Sequence, residues 1–275
     1  MKVPNIKEIL KPRWAHKPGF GMNREYELSK QAIWEQGTTP NDSRLLGKLG
    51  ILKGEKVLAI AGYYASWASQ VALNGARVDY SDISKEMVNY SKKLWGKLFR
   101  KYICSNYELI PVKRKEYDWT FTYEACGGTA GLPLAYLRSL LNNKGGILVL
   151  YVNRKNPKKM GSKPKTYPRI VRALGDIYNI NYEIKKVVMK GHRKGTGEKK
   201  LAFMVCTIRT NKVAREKAYF DLKVLDLLNK KNKIYLSKEA KKFRVSEEEL
   251  GKSIKRLSDL SKVINREFVK QVGVR

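Results

Sequence analysis

From Lys56 to Asn153 the chain alternates short apolar runs with longer amphipathic segments, and this alternation restricts it to few folds. KVLAIA (56–61), ARVDYSD (76–82), YICSN (102–106), YDWTFTYEA (117–125) and ILVLYVN (147–153) read as strands. ASWASQVALNG (65–75), SKEMVNYSKKLWGKLFRKY (84–102) and LPLAYLRSLLNNKGG (132–146) read as the helices between them. Apolar strands separated by helices of this length predict a mostly parallel sheet covered on both faces. After a polar, proline-containing stretch (154–165) and a helix near 167–177, NYEIKKVVMKG (181–191) and LAFMVCTIR (201–209) flank a basic, glycine-containing turn. They predict an antiparallel hairpin at one sheet edge. The expected fold is α/β: a doubly wound, mostly parallel seven-stranded sheet with a terminal antiparallel hairpin.

Two flanking regions differ from this middle. Residues 1–50 read as a basic, partly helical leader or lid, with DSRLLGKLGI at its end capped by Asp42 or Ser43 and stopped by Gly50. Residues 218–275 read as a small basic helical domain. Phe220, Val224, Leu225 and Leu228 fall at helical spacing, and SKEAKKF makes a short helix. Ser246 and Glu249 then form a capping box, with Val245 and Leu250 in the positions of a hydrophobic staple. With KVINREFV as a strand after the third helix, the expected unit is helix-turn-helix-like and winged. Between them, residues 51–210 are expected to form the central domain.

The segment KVLAIAGYYASWASQVALNGARVDYSDISKEMV (56–88) resembles the nucleotide-binding opening of the class I S-adenosylmethionine-dependent methyltransferases. In that family a strand enters a glycine-rich turn, a helix follows, and the next strand ends in an acidic residue. Ala61, Gly62, Tyr63 and Ala65 lie where the turn would be, and Asp82 where the acidic residue would be. The resemblance implies S-adenosyl-L-methionine as cofactor, with Asp82 and the neighbouring Ile83 at the ribose and Asn106 and Tyr107 at the adenine. It places Tyr123, Glu124 and Cys126, after the fourth strand, near the transferred methyl group. Glu124 could take a proton or pair with a lysine, and Cys126 could be a nucleophile or a plain buried thiol. Ala59, Ala61, Tyr63 and Ala65 depart from the family's acid and glycines.

Charge bears on the partner. The chain carries 57 Lys and Arg against 25 Asp and Glu, a net charge of +32. A field of this size attracts polyanions, so nucleic acid is the expected partner, RNA before DNA. The expected contacts are Arg154, Lys155, Lys158, Lys159, Lys163 and Lys165 in the loop after the fifth strand, Arg193 and Lys194 at the hairpin, and Lys252, Lys255 and Arg256 in the C-terminal helices. Three scattered cysteines and two histidines form no ligand set, so no metal is expected. With no run long and apolar enough for a membrane span, and no secretory leader, a cytoplasmic protein is expected. Oligomeric state is open. Three functions fit these readings: methyl transfer to RNA or an RNA-containing assembly, DNA binding by an inactive methyltransferase fold, and methyl transfer to a small molecule or protein.

Overall fold

The computed structural model describes residues 38–60, 65–82, 85–105, 113–123, 131–152, 163–193, 197–230 and 234–272. Among the described residues eight strands make one sheet: β1 (Thr38–Pro40), β2 (Lys56–Ile60), β3 (Arg77–Asp82), β4 (Lys101–Cys104), β5 (Trp119–Tyr123), β6 (Gly145–Tyr151), β7 (Tyr182–Arg193) and β8 (Gly197–Arg209). Their spatial order is β1-β7-β8-β6-β5-β2-β3-β4. Strands β2 to β6 are parallel to their neighbours among themselves. β8 runs antiparallel to β6 and forms the hairpin with β7. The helices are α1 (Leu45–Leu49), α2 (Ser66–Leu73), α3 (Lys85–Trp95), α4 (Gly131–Ser139), α5 (Lys163–Tyr178), α6 (Lys212–Lys230), α7 (Leu236–Phe243) and α8 (Glu247–Val272).

The strands are apolar at nearly every position because both faces of the sheet are covered. Val57, Ala59, Ile147, Val149, Phe203 and Val205 point to one face, where Trp67, Ala68 and Val71 of α2 and Leu45 and Leu49 of α1 pack. Leu148, Leu150, Cys206 and Ile208 point to the other, against Leu137 of α4 and Val171 and Leu174 of α5. The antiparallel entry of β8 depends on one glycine. Gly145 has φ of 138°, and a Cβ there would lie 2.0 Å from the Ile208 carbonyl oxygen. No side chain fits that approach.

The eighth strand, β1, was not expected, since residues 38–40 were read as part of a helical leader. They pair instead with the outer edge of β7, Thr38 opposite Arg193 and Pro40 opposite Gly191. A proline is tolerated on such an edge strand, where an outward N–H is not needed. Asp42 fixes the segment. Its buried carboxylate accepts from the Lys48 ammonium (2.5 Å), the Arg44 N–H (3.0 Å) and the Lys190 N–H (3.2 Å). The Gly50 stop is observed, in the left-handed region at φ 76°. The rest of the leader lies outside the described residues.

Helix α5 begins at Lys163, inside the stretch expected to be loop, and holds Pro168 in its second turn. The proline removes one intrahelical bond. Tyr167, Ile170, Val171, Leu174 and Tyr178, buried on one face, keep the helix in place by packing. The hairpin turn is shorter than expected, because Lys199 and Lys200 belong to the β7–β8 ladder.

The C-terminal region departs most from expectation. KVINREFV is helical, since α8 runs unbroken from Glu247 to Val272, and among the described residues no wing strand follows α8. The β-branched and aromatic residues that suggested a strand are overridden by a helix already begun and packed. Ser246 Oγ accepts from the Glu249 N–H at 3.0 Å, as the capping box requires. The helices do not form a separate unit either. α6 starts at Lys212, directly after β8, and Leu228, Leu250, Ile254, Leu257 and Leu260 share one core with Leu137, Leu174 and Ile208. Within that core, fully buried Asp221 accepts from Tyr178 (2.7 Å), Ser253 (2.6 Å) and both arms of Arg256 (2.8 and 2.6 Å). Burial, then the Asp221 charge, pushes the Tyr178 hydroxyl well above its usual pKa.

Candidate active site

In a parallel sheet, ligands bind beyond the carboxyl ends of the strands, where the connecting turns gather. Here those ends belong to β2, β3, β4, β5 and β6. After β2 the chain re-enters the described region at Ala65, fully buried, with φ 58° and ψ 22°. This is the left-handed conformation that glycine adopts freely and alanine does not. A glycine's backbone is thus retained at this position without the glycine.

β3 ends at Asp82, whose side chain lies on the same face as Tyr80 two residues before. The Tyr80 hydroxyl is 3.5 Å from Asp82 Oδ2, and Asp82 is nearly buried at 9% exposure. Burial, then the Asp82 carboxylate, pushes the Tyr80 hydroxyl well above its usual pKa, so it stays protonated. Cys104, at the end of β4, stands opposite Asp82 in the register. Its thiol is raised by burial first and by Asp82 second, which makes it a poor nucleophile.

Tyr123 ends β5, half-buried, and stacks on Trp67 of α2 with centroids 4.5 Å apart and planes at 17°. Trp67 meets Phe203 edge-on at 4.9 Å, and Tyr151, half-buried at the end of β6, meets Phe203 at 5.8 Å. Trp67 and Tyr151 were not singled out from the sequence. The signal was present: Tyr151 lies two residues beyond Val149, the register partner of Tyr123, and therefore on the same face.

At the end of β2, Ala59 sits in the apolar core at 2% exposure and leaves no charge where the family has an acid. Of the other expected site residues, Ala61, Gly62, Tyr63, Ile83, Asn106, Tyr107, Glu124 and Cys126 lie outside the described residues, as do Arg154, Lys155, Lys158, Lys159 and Lys194. Lys163 and Lys165 belong to the first turn of α5, and Arg193 ends β7. Lys255 is exposed, and Lys252, also exposed, is 2.7 Å from Glu248. Arg256 is corrected: its guanidinium is turned inward onto Asp221 with the side chain 18% exposed, so its donors serve the core rather than a phosphate.

The order β4-β3-β2-β5-β6-β8-β7, with β8 the antiparallel strand, and an acid ending the second parallel strand are now both in view. This is the class I methyltransferase fold. No family model matches the chain, and no curated protein does. Among solved structures it is similar to an S-adenosylmethionine-dependent methyltransferase from Aquifex aeolicus, 18% identical, with 62% of this chain and 89% of that one covered at a TM-score of 0.44. It is also similar to magnesium protoporphyrin IX methyltransferase from Synechocystis, 17% identical over 60% of this chain and 78% of that one, TM-score 0.41. A third is a methyltransferase from Methanosarcina mazei, 12% identical, 61% and 98% covered, TM-score 0.44. These likenesses concern the fold alone. Among the described residues no cluster of metal-ligating side chains occurs, and no helix is long and apolar enough to cross a membrane.

Proposed function

We propose that the chain is an S-adenosylmethionine-dependent methyltransferase acting on nucleic acid, RNA before DNA. The observation that carries this reading is Asp82, a nearly buried carboxylate at the carboxyl end of the strand next to β2. A carboxylate there can accept two hydrogen bonds from a ribose diol. The left-handed backbone at Ala65, at the start of α2, is of the kind a glycine-rich turn supplies, which supports the same ligand. When bound, S-adenosylmethionine supplies an electrophilic methyl group. The protein's part is then chiefly positioning, which transfer to an in-line acceptor needs more than acid or base. Half-exposed Tyr123, braced by Trp67, offers a flat ring at the end of β5 against which a planar acceptor can lie. The surplus of 57 cations over 25 anions supports a polyanionic acceptor.

Calorimetric titration with S-adenosylmethionine and its demethylated product tests the cofactor. Binding in the micromolar range, weakened at least 100-fold by Asp82→Ala, is the expected result. Two hydrogen bonds to a charged acceptor contribute about 3 kcal/mol or more, which corresponds to that factor. No heat from either ligand would sink the reading. One observation favours a second reading, a DNA-binding protein that keeps the fold without the cofactor: Ala59 leaves the end of β2 uncharged.

A further inference from the structure

At the other end of the sheet from Asp82, the segment before β5 and the end of α4 face α6 and α7 across an open groove of about 710 Å³. Its floor is apolar, formed by Leu141, Leu222, Leu227 and Phe243. Its rim is basic: Lys113, Arg114, Arg138, Lys223 and Lys230. Tyr219 draws two of these cations together, with the Arg114 guanidinium 4.3 Å and the Lys223 ammonium 4.4 Å from its ring centroid. Two carboxylates offset the rim in part. Glu216 pairs with Arg114 at 2.5 Å and Asp226 with Lys230 at 2.7 Å, both exposed. Lys113 and Lys223 have no carboxylate within ion-pairing distance among the described residues. Like charges gathered around a concave, partly apolar surface repel one another, and an incoming anion relieves that repulsion.

The combination of floor and rim narrows the occupant. A single strand of nucleic acid can lay its bases on an apolar floor and its phosphates along a cationic rim. A duplex keeps its bases inside and would leave the leucines and Phe243 uncovered. The chain's own first 37 residues are a poor occupant, since they carry seven Lys and Arg against four Glu. We propose that this groove holds a single strand of nucleic acid, at the far end of the sheet from the reaction site. The proposal rests on the nucleic-acid reading above and uses none of the residues expected from the sequence.

The test is fluorescence anisotropy with a labelled 12-nucleotide oligouridine RNA, titrated with the full chain over a salt series. Lys113→Glu/Lys223→Glu alters two exposed groove cations. Lys92→Glu/Lys93→Glu, on exposed positions of α3, makes the same change in net charge elsewhere. The groove pair is expected to weaken binding tenfold or more. It should also flatten the dependence of log affinity on log salt by about 1.4, the value for two phosphate contacts on a single strand. The α3 pair should stay within threefold of the wild type. Circular dichroism melts establish that each variant is folded, and Lys113→Gln/Lys223→Gln should give an intermediate loss. Equal weakening by both charge-reversed pairs, or none by the groove pair, would overturn the groove while leaving the acceptor reading intact. Absence of RNA binding by the wild type would overturn both. Displacement of nothing by RNA, but tight groove-dependent binding of an acidic Glu/Leu helical peptide, would assign the groove to a protein instead.

Discussion

Asp79 and Asp82 stand three residues apart on β3, the first fully buried within the strand and the second, 9% exposed, at its carboxyl end. Asp79 is fully buried, and both its oxygens are engaged: Arg100 donates to each at 2.8 and 2.7 Å, and the Tyr117 hydroxyl adds a bond of 2.9 Å. The sheet edge below it is tied in the same way. Glu55 accepts from the Trp119 indole (2.8 Å), the Leu52 N–H (2.9 Å) and Lys144, and Asp118 accepts from the Lys56 N–H (2.8 Å) and Asn143 (2.9 Å). At the Asp82 end the accounts of polar groups are left open. The buried hydroxyls of Ser81 and Thr122 have no hydrogen-bond partner, and Ala65 holds a conformation unfavourable to it. Asn142 Oδ1 and the left-handed Lys115 show the same features at the Asp79 end, so the two ends differ chiefly in the hydrogen-bonded carboxylates Asp79, Glu55 and Asp118 that tie the lower end into the fold.

The largest expected effect breaks the lower end. Asp79→Ala leaves the Arg100 guanidinium partly buried without its anion, and should cost about 3–5 kcal/mol of unfolding free energy. Denaturant titration measures it, and cofactor affinity in whatever folded protein remains should be unchanged. The next acts on the upper end: Asp82→Ala should reverse the pattern, with at least 100-fold loss of cofactor affinity and a stability change under about 1 kcal/mol. Equal losses of stability in the two variants would erase the distinction between the ends.

A third expectation concerns pH at the β1 edge. Burial pushes the Asp42 carboxyl up, but Lys48 and the N–H groups of Arg44 and Lys190 outweigh it, and the carboxyl lies below its usual value. Its anion is therefore favoured by folding. That contribution is present above the usual carboxylate pKa of about 4 and is lost as pH falls through the lower folded value. Amide exchange in the β1–β7 pairing should accelerate relative to the β2–β3 pairing as pH drops below about 4.

The smallest expectation isolates the strain. Ala65→Gly relieves the left-handed alanine while giving up a buried methyl and loosening the unfolded chain, so stability should move by less than about 0.5 kcal/mol. Ala68→Gly, equally buried but inside α2, should cost about 1–2 kcal/mol. If both cost the same, Ala65 is not strained.

What could be read from the amino-acid sequence follows from how each part is held. KVLAI and ILVLY announce themselves because strands covered on both faces must be apolar throughout. Asp82 could be placed because it ends the second such strand after a turn. Thr38–Pro40 could not, since an edge strand paired through its backbone needs no apolar pattern. The last turns of α8 were hidden because Val263, Ile264 and Phe268 favour strand locally, while the shared core decides for helix. Trp67 and Tyr151 read as ordinary packing residues until the register set them beside Tyr123. The groove cations are scattered from Lys113 to Lys230, and only the tertiary fold brings them to one rim.

The core shared by α4, α5, α6 and α8 also has a consequence for synthesis. Leu137, Val171 and Leu174 emerge early, but Leu250, Ile254, Leu257 and Leu260, which complete their surroundings, are made 76 residues or more later. The outer sides of α5 and α6, against which α8 packs, therefore stay uncovered on the ribosome until that final long helix has been translated. Among this chain's variants, those that slow or truncate translation beyond Phe243 should be the ones most dependent on chaperones for soluble yield.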